Sequence, residues 1–497
     1  MALGLPKILP RLKAAARAFT DPPEQWDGHK ARQSFEGAQT NRLNQAQWAT
    51  ADARDINTII EQDLPTLRTR SRYEGRNNPF VRGVMETYAH AVVGPEGPAL
   101  QIECDSSKQF ADALEKAWRN FSDDGDTSRD QTLPDLLSLQ FRGLWDSGEF
   151  LLQHYLSPDG VRVNDIDPAR LNNAGLFTAA ADGNHMIMGV ERTKYGKAVR
   201  YFIQGEQYGY GGAVPSGEYQ AVNADFIIHG RQTWYPNQVR GVPWLAPALD
   251  SIGHAREYDR AVLEAAKTAA KLSLWLENPN SEGAALTAPD FYEIEAGMAA
   301  TGPPGWVSKQ LKAEQPTAQY KDLQNEYLRR IGRAKGVPLM LVRLDAADHT
   351  YSSARFDAQI FQVHARADQA WLRRTELEPL LRRVAQFVAI TEFKGQIPEY
   401  RANWIFNAIP HVDPLKEAMA ERVQLENGTL TLSEVCASRG IDLDAHIERM
   451  RREMAAIEAA GLPLRSYAGK IASDTEVSAV LGETDGGTTN AQPTKAA

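Results

Sequence analysis

The sequence predicts a multidomain α+β protein, and three observations carry the prediction. Helical apolar spacing runs through 56–146, a period of two follows across 149–229, and long helical patterns resume from Pro247 to Ile390. Helices followed by antiparallel hairpins give an α+β body, not the strand–helix alternation of a parallel nucleotide-binding sheet. At 497 residues the chain has length for about two to four domains. With 42% hydrophobic and 24% charged residues it matches ordinary globular usage, so its bulk should fold.

Taken in order, residues 1–55 are polar without a sustained period and read as an N-terminal arm, whose Lys7, Arg11, Lys13 and Arg17 read as solvated. From Ile56 to Val93 the pattern is helical. Asn77-Asn78-Pro79 supplies a cap and first turn, Val81, Val84, Met85 and Tyr88 share one face, and Gly94 ends the run. The GPEG that follows lacks the spacing of a phosphate loop. Further helices are expected around Gln109–Phe121 and Leu133–Asp146. EFLLQHYL, SPDG and VRVNDI read as a hairpin, and HMIMGVER, TKYG and KAVRYFI as another. Short strands are expected across Glu218–His229, after the turn-rich YGYGGAVPSG.

The longest helix is expected from Pro247 to Leu276, about 45 Å at the helical rise. Ala255, Tyr258, Val262, Ala265, Ala266, Ala269 and Leu272 form its apolar face, while Arg256, Arg260, Lys267 and Lys271 lie opposite and read as solvated. So many alanines admit a close neighbour, either Gln319–Lys335 of the same chain or a helix of another subunit. The Gly-, Pro- and Ala-rich 277–318 is too long for a bare loop and reads as a small protruding contact subdomain. Gln319–Lys335 is a second helix, stopped by Gly336 in a left-handed cap and by Pro338. A loop, LMLVRLDAADHT, leads to a third, whose buried positions are expected to include Ile360, Val363, Ala367, Ala370, Leu377, Leu381, Val384 and Val388. One more strand at Tyr400–Ile405, short helices across 413–465 and a disordered 466–497 complete the expectation.

Composition narrows the function. A net charge of −9 argues against a protein that grips nucleic acid tightly, though not against passing contact with DNA. Cys104 and Cys436 have neither a disulfide framework nor zinc spacing and read as reduced, buried thiols. No apolar run approaches the roughly 20 residues that cross a bilayer, and MALGLPKILPRLKAAARAF lacks a signal peptide's core. The expectation is a soluble protein made inside the cell. GxxxxGK[ST], HExxH, GxSxG and CxxC are missing, so neither a P-loop motor nor a cofactor or metal site is expected. Asp165 and Asp167 read as a solvated strand end, and Asp345, Asp348 and His349 as loop residues with no catalytic part.

RTRSRYEGRNNPFVRGVMETYAHAVVG, HGRQTWYPNQVRGVPWLAPAL, RRIGRAKGVPLMLV with YSSARFDAQIF, and DPLKEAMAERVQLENGTLTLSEVCASRGID are together similar to the lambda-type family of tailed-phage portal proteins. The similarity covers most of 56–465, and VGPEGPAL departs from the family's plainer Val-Gly-x-Gly turn. The resemblance implies a ring, typically a dodecamer, at one capsid vertex of the virion with double-stranded DNA on its axis. It implies synthesis in the host bacterial cytoplasm, no enzyme activity, no membrane, and as partners the terminase large subunit, the head–tail adaptor and the major capsid and scaffold proteins. It divides the chain at 1–55, 56–245 (wing), 246–276 and 319–336 (stem), 277–318 (clip), 337–412 (tunnel loop, tunnel helix and the rest of the wing), 413–465 (crown) and 466–497. Within this scheme Leu339–Tyr351 is the tunnel loop and Ser352–Ile390 the tunnel helix. Arg343, Asp345, Asp348 and His349 of the loop, with Arg256, Arg260, Lys267 and Lys271 of the stem, are then candidate channel residues. Arg343 pairing with Asp345 or Asp348 of a neighbouring subunit is an equal alternative to phosphate contact. A nuclease, which needs carboxylates to hold Mg²⁺, and an adaptor that binds proteins and no DNA are the competing classes.

Overall fold

Asn78 both ends one helix and starts the next. In a computed structural model that describes residues 53–172, 176–179, 183–209, 212–271, 275–277, 307–309, 319–347, 349–406, 414–439, 441 and 443–459, α1 (Ile56–Asn77) and α2 (Pro79–Val93) meet there. The Asn78 side chain accepts the N–H groups of Phe80 and Val81 at 3.1 and 3.3 Å, and α2 stops at Gly94 with φ 77°. The chain divides by contacts at Asp55/Ile56, and every element below belongs to the second part. Of the expected segments, the arm before residue 53, most of 277–318 and the tail after 459 lie outside the described residues.

β1 (Ala99–Glu103), α3 (Lys108–Asp124) and α4 (Leu133–Asp146) lead into a three-stranded antiparallel sheet of β2 (Glu149–Ser157), β3 (Gly160–Ile166) and β9 (Ile227–Arg231), in the order β3-β2-β9. Alternation along the strands gives this sheet two buried faces. Phe150, Leu152, Val163 and Ile228 face a large core shared with α2, α3 and α4. Leu151, Ile166 and Ile227 face a smaller one with Ile60 and Leu64 of α1. The register places Asp165 opposite Leu152, on the side of the large core. Asp165 is therefore half-buried and not a solvated strand end.

A second sheet holds β4 (Leu176–Ala179), β5 (His185–Ile187), β6 (Val190–Arg192), β7 (Ala198–Gly209) and β8 (Gly212–Asn223) in sequence order. HMIMGVER, expected as one strand, is two. Met188 and Gly189 at φ 45° and 81° form a tight turn between β5 and β6. The glycine-rich stretch expected as turn is mostly strand, because 212–217 lie in β8 and its residues 212–215 pair with β7.

α5 (Leu249–Lys271) is followed by β10 (Trp275–Glu277), which pairs with β11 (Val307–Lys309). The helix thus stops short of the expected Leu276. It packs against α6 (Tyr320–Arg333) of the same chain: Tyr258 stacks on Tyr320 at 5.8 Å, and the Tyr320 hydroxyl donates to Asp259 at 2.8 Å. Then come α7 (Leu339–Arg343), α8 (Tyr351–Leu372), a π-turn over Arg373–Leu377 and α9 (Glu378–Glu392), the last three as one continuous rod. β12 (Arg401–Ile405) returns to pair with β1. α10 (Pro414–Glu426), α11 (Leu432–Ser438) and α12 (Leu443–Ala459) follow, with Cys436 buried and free. Cys104 is only half-buried, its thiol donating to the Glu399 carbonyl at 3.4 Å. No described helix is long and apolar enough to cross a membrane.

Candidate nucleic-acid interface

The strap between α6 and α8 is held at its base by close backbone contact. Val337 N–H donates to the Gly332 carbonyl at 2.9 Å, and a Cβ on Gly332 would lie 2.2 Å from the Val337 oxygen. Only glycine lets the chain fold back this tightly over the helix end. Gly336, at φ 73°, takes the left-handed conformation its position predicts. Part of the expected loop is the short helix α7, because Leu339 and Val342 turn inward to the large core and Leu344 caps the turn at φ 52°.

Beside this base lies a buried polar junction. The Lys335 ammonium sits 2.7 Å from Asp368 on α8, donates to Gln232 at 3.0 Å, and lies 3.9 Å over the Trp244 ring. Asp368 also accepts the Tyr88 hydroxyl at 2.6 Å and the Gln232 amide at 2.7 Å. Burial lowers the Lys335 pKa against the pull of Asp368, and burial with the Asp368 charge raises that of Tyr88. A cation and a carboxylate taken out of water together tie α2, the loop after β9, the end of α6 and α8 into one piece.

At the tip, Arg343 and Asp345 come together within one chain, Nη2 to Oδ2 at 2.6 Å, while the other Asp345 oxygen accepts Ala347 N–H at 2.9 Å. Asp348 lies outside the described residues. His349 Nε2 is 3.7 Å from Asp357 of α8 rather than grouped with Asp345. Thr350 and Ser353 form the capping box that starts α8. On α5, Arg256 is not simply solvated: it donates to the buried Glu74 and covers the Tyr73 ring at 5.4 Å. Lys267 pairs with Glu264 at 3.0 Å on the surface, Arg260 is exposed, and the side chain of Lys271 is outside the description. The candidates therefore occupy two separate elements, with Arg343 and Asp345 directly joined.

The long rod carries what the periodicity assigned to the wrong side. Phe361, Ala365, Asp368 and Leu372 are the buried face of α8, whereas Ile360 and Val363 are 40% and 67% exposed. Phe356, at 62%, extends this exposed apolar line at helical spacing. α8 is apolar on two sides, so spacing alone could not choose between them.

Polar residues that carry no signature in the sequence form the second centre. Glu149, fully buried, accepts from Arg68 at 2.5 Å, Arg240 at 2.7 Å, His229 at 2.9 Å and Gly241 N–H at 2.6 Å. Burial works to raise its pKa, but Arg240, His229 and Arg68 prevail and hold it well below the usual carboxylate value. Burial and Arg231 push His229 down to about 4. Arg231 donates toward Nδ1 at 3.1 Å, so the neutral ring presents Nε2–H to Glu149. Among the described residues no group of three His, Cys, Asp or Glu side chains could hold a metal ion.

Comparison with known proteins bears on what this body does. The sequence profile of "Phage portal protein, lambda family" matches residues 41–369. A "Probable portal protein" of Halomonas phage phiHAP-1 is 25% identical over 490 residues, covering 91% of this chain and 93% of that protein. The "Portal protein" of Escherichia phage N15 is 22% identical, covering 78% and 83% respectively. Among solved structures, a chain in the neck of an empty GTA particle has 18% identity and a TM-score of 0.42, covering 76% of this chain and 94% of its own length. An HK97 family phage portal protein from Corynebacterium diphtheriae has 12% identity and a TM-score of 0.30, covering 70% and 97%. The profile match spans more than half of the sequence, so the chain belongs to the lambda family of phage portal proteins and serves as the portal of a phage capsid.

Proposed function

We propose that copies of this chain close into a ring, a dodecamer, at one vertex of the virion capsid, and that double-stranded DNA runs along its axis during packaging and ejection. The observation that carries this reading is the second apolar side of α8, where Phe356, Ile360 and Val363 face outward from a helix whose opposite side is already buried. A helix apolar on both sides has room for a second neighbour, and cyclic assembly supplies one from the next copy.

In this reading 56–245 is the wing, α5 and α6 are the stem, and 277–318 is the clip that docks the terminase large subunit and later the head–tail adaptor. The strap from Leu339 to Tyr351 and the helix after it face the bore, and 413–465 form the crown, while the rim meets capsid and scaffold proteins. The role is structural and involves no catalysis. A conduit must let a polyanion slide, so its lining favours weak, replaceable contacts over a basic groove. Arg343 held by Asp345, with Arg260 and Lys267 exposed on the stem, suits that requirement. Imaging purified particles down their axis tests the proposal. Closed rings with a central hole support it, and a polypeptide that stays monomeric even with its assembly partners supplied removes it.

A further inference from the structure

Gln140 of α4, Asp165 of β3 and Glu376 of the π-turn meet on the face of the sheet that carries Phe150 and Leu152. The Gln140 amide nitrogen donates weakly to Asp165 at 3.5 Å, and the Glu376 carboxyl lies against the same amide. Glu376 is fully buried, yet neither of its oxygens has a hydrogen-bond donor, and the Gln140 oxygen has none either. An ionised carboxylate and an amide oxygen only accept, so both are left in the core without a donor while Glu376 is charged. One proton on Glu376 resolves the arrangement. A protonated Glu376 would have an O–H to offer the Gln140 oxygen, whose amide N–H group already donates to Asp165.

We propose that Glu376 is a protonated acid that, through Gln140, fastens the π-turn of the long rod to α4 and the sheet, and that loss of this proton loosens the joint between α8 and α9. The surroundings favour the neutral form. Arg373 on the turn engages Glu378 at 3.4 Å and is exposed, as is Arg374. β9 also packs on the turn, but it presents Ile228 to this core while His229 and Arg231 lie on the Glu149 side of the sheet. What faces Glu376 is Asp165, itself near Asp167 and Asp126. Burial, against the pull of the Gln140 amide and with the Asp165 charge adding to it, pushes Glu376 up to about 8, and burial with Asp167 and Asp126, again against Gln140, pushes Asp165 to about 7. A surface cleft of ≈ 610 Å³ reaches Gln140 and Asp165, which gives the proton a way out. π-turns inside α-helices often mark functional positions.

Infrared difference spectra of the full-length protein, taken between about pH 6 and about pH 9.5, test the proposal. The expected result is a protonated-acid carbonyl band lost with a midpoint near 8, retained in Asp165→Asn and absent from Glu376→Gln. Because the folded value is raised, the native state keeps this proton after the unfolded chain has released it. Its contribution is complete below the unfolded value and is gone above the folded one. The folding constant of Glu376→Gln relative to wild type should therefore rise about tenfold per pH unit from about 4.5 to about 8 and then level off. A band with its midpoint near 8 that survives in Glu376→Gln, or a ratio flat in pH, overturns the proposal, whereas a band titrating near 7 belongs to Asp165. Should Glu376→Gln fail to fold, a wild type and an Asp165→Asn variant without a band titrating near 8 overturn it equally.

Discussion

Glu149 shows how much of this fold depends on single polar atoms. Two arginines and a neutral histidine converge on it with no solvent to share the charge, so the group is stable only as a complete set. Glu149→Ala leaves Arg68 and Arg240 buried without their anion, and a loss of about 3–5 kcal/mol is expected from the chemical denaturation midpoint. The same centre sets an acid limit. His229, at about 4 in the folded state, stays neutral while the unfolded ring takes a proton near 6.5, so stability falls as pH drops through that window. Glu149, held low, adds a further loss once pH falls below 4.5, the ordinary value of a glutamate. His229→Gln keeps a donor toward Glu149 but cannot titrate. It should remove about 1.4 kcal/mol per pH unit of slope between about 4 and 6.5, read from urea melts across that range. None of this was legible beforehand, because Arg68, Ser71 and Glu74 sit on α1 where polar residues read as a wet face.

At the scale of elements the decisive feature is the hinge after α6. Gly332→Ala puts a methyl group where the Val337 carbonyl and the Val342 side chain already are, and both belong to a packed turn. The strap must lift, at a cost of about 1–3 kcal/mol by denaturation, with raised hydrogen exchange confined to 332–344. Gly336 was legible because a helix-ending glycine before proline has a conformational signature. Gly332 was not, because a close approach depends on where another segment returns. The same distinction runs through the chain. The caps at Asn78 and Gly94, the helix Leu133–Asp146 and the β2–β3 hairpin follow from local chemistry and appear where the sequence places them. The division of HMIMGVER and the strand character of 212–217 depend on where adjacent strands turn, which their glycines do not fix alone, and the pairing of β1 with β12 depends on a partner distant in the chain. For the candidate site, the sequence marks the strap and the pairing options of Arg343, but not the helical turn of α7 or the Lys335–Asp368 junction beneath it.

For the whole molecule, the question is why a long rod should be well packed along one side and apolar along the other. Phe361, Ala365 and Leu372 fix α8 to its own subunit, and Lys335 locks it there through Asp368. This leaves Phe356, Ile360 and Val363 on a rigid surface whose ordering cost has been met within the monomer, and a neighbour can bury it without further loss of freedom. Substituting Phe356→Asp together with Val363→Asp changes only exposed positions, so each subunit should keep its melting temperature and circular dichroism. Assembly should respond differently, since two carboxylates would have to be desolvated at every junction of the ring and the penalty recurs around its circumference. Light scattering should then find monomers or short arcs in place of closed particles at concentrations where the wild type is fully assembled. Rings of normal size from the double variant would place the subunit contact elsewhere. The α8 stripe would then face the bore instead, and its carboxylates would be read as a change in DNA passage with assembly unaltered.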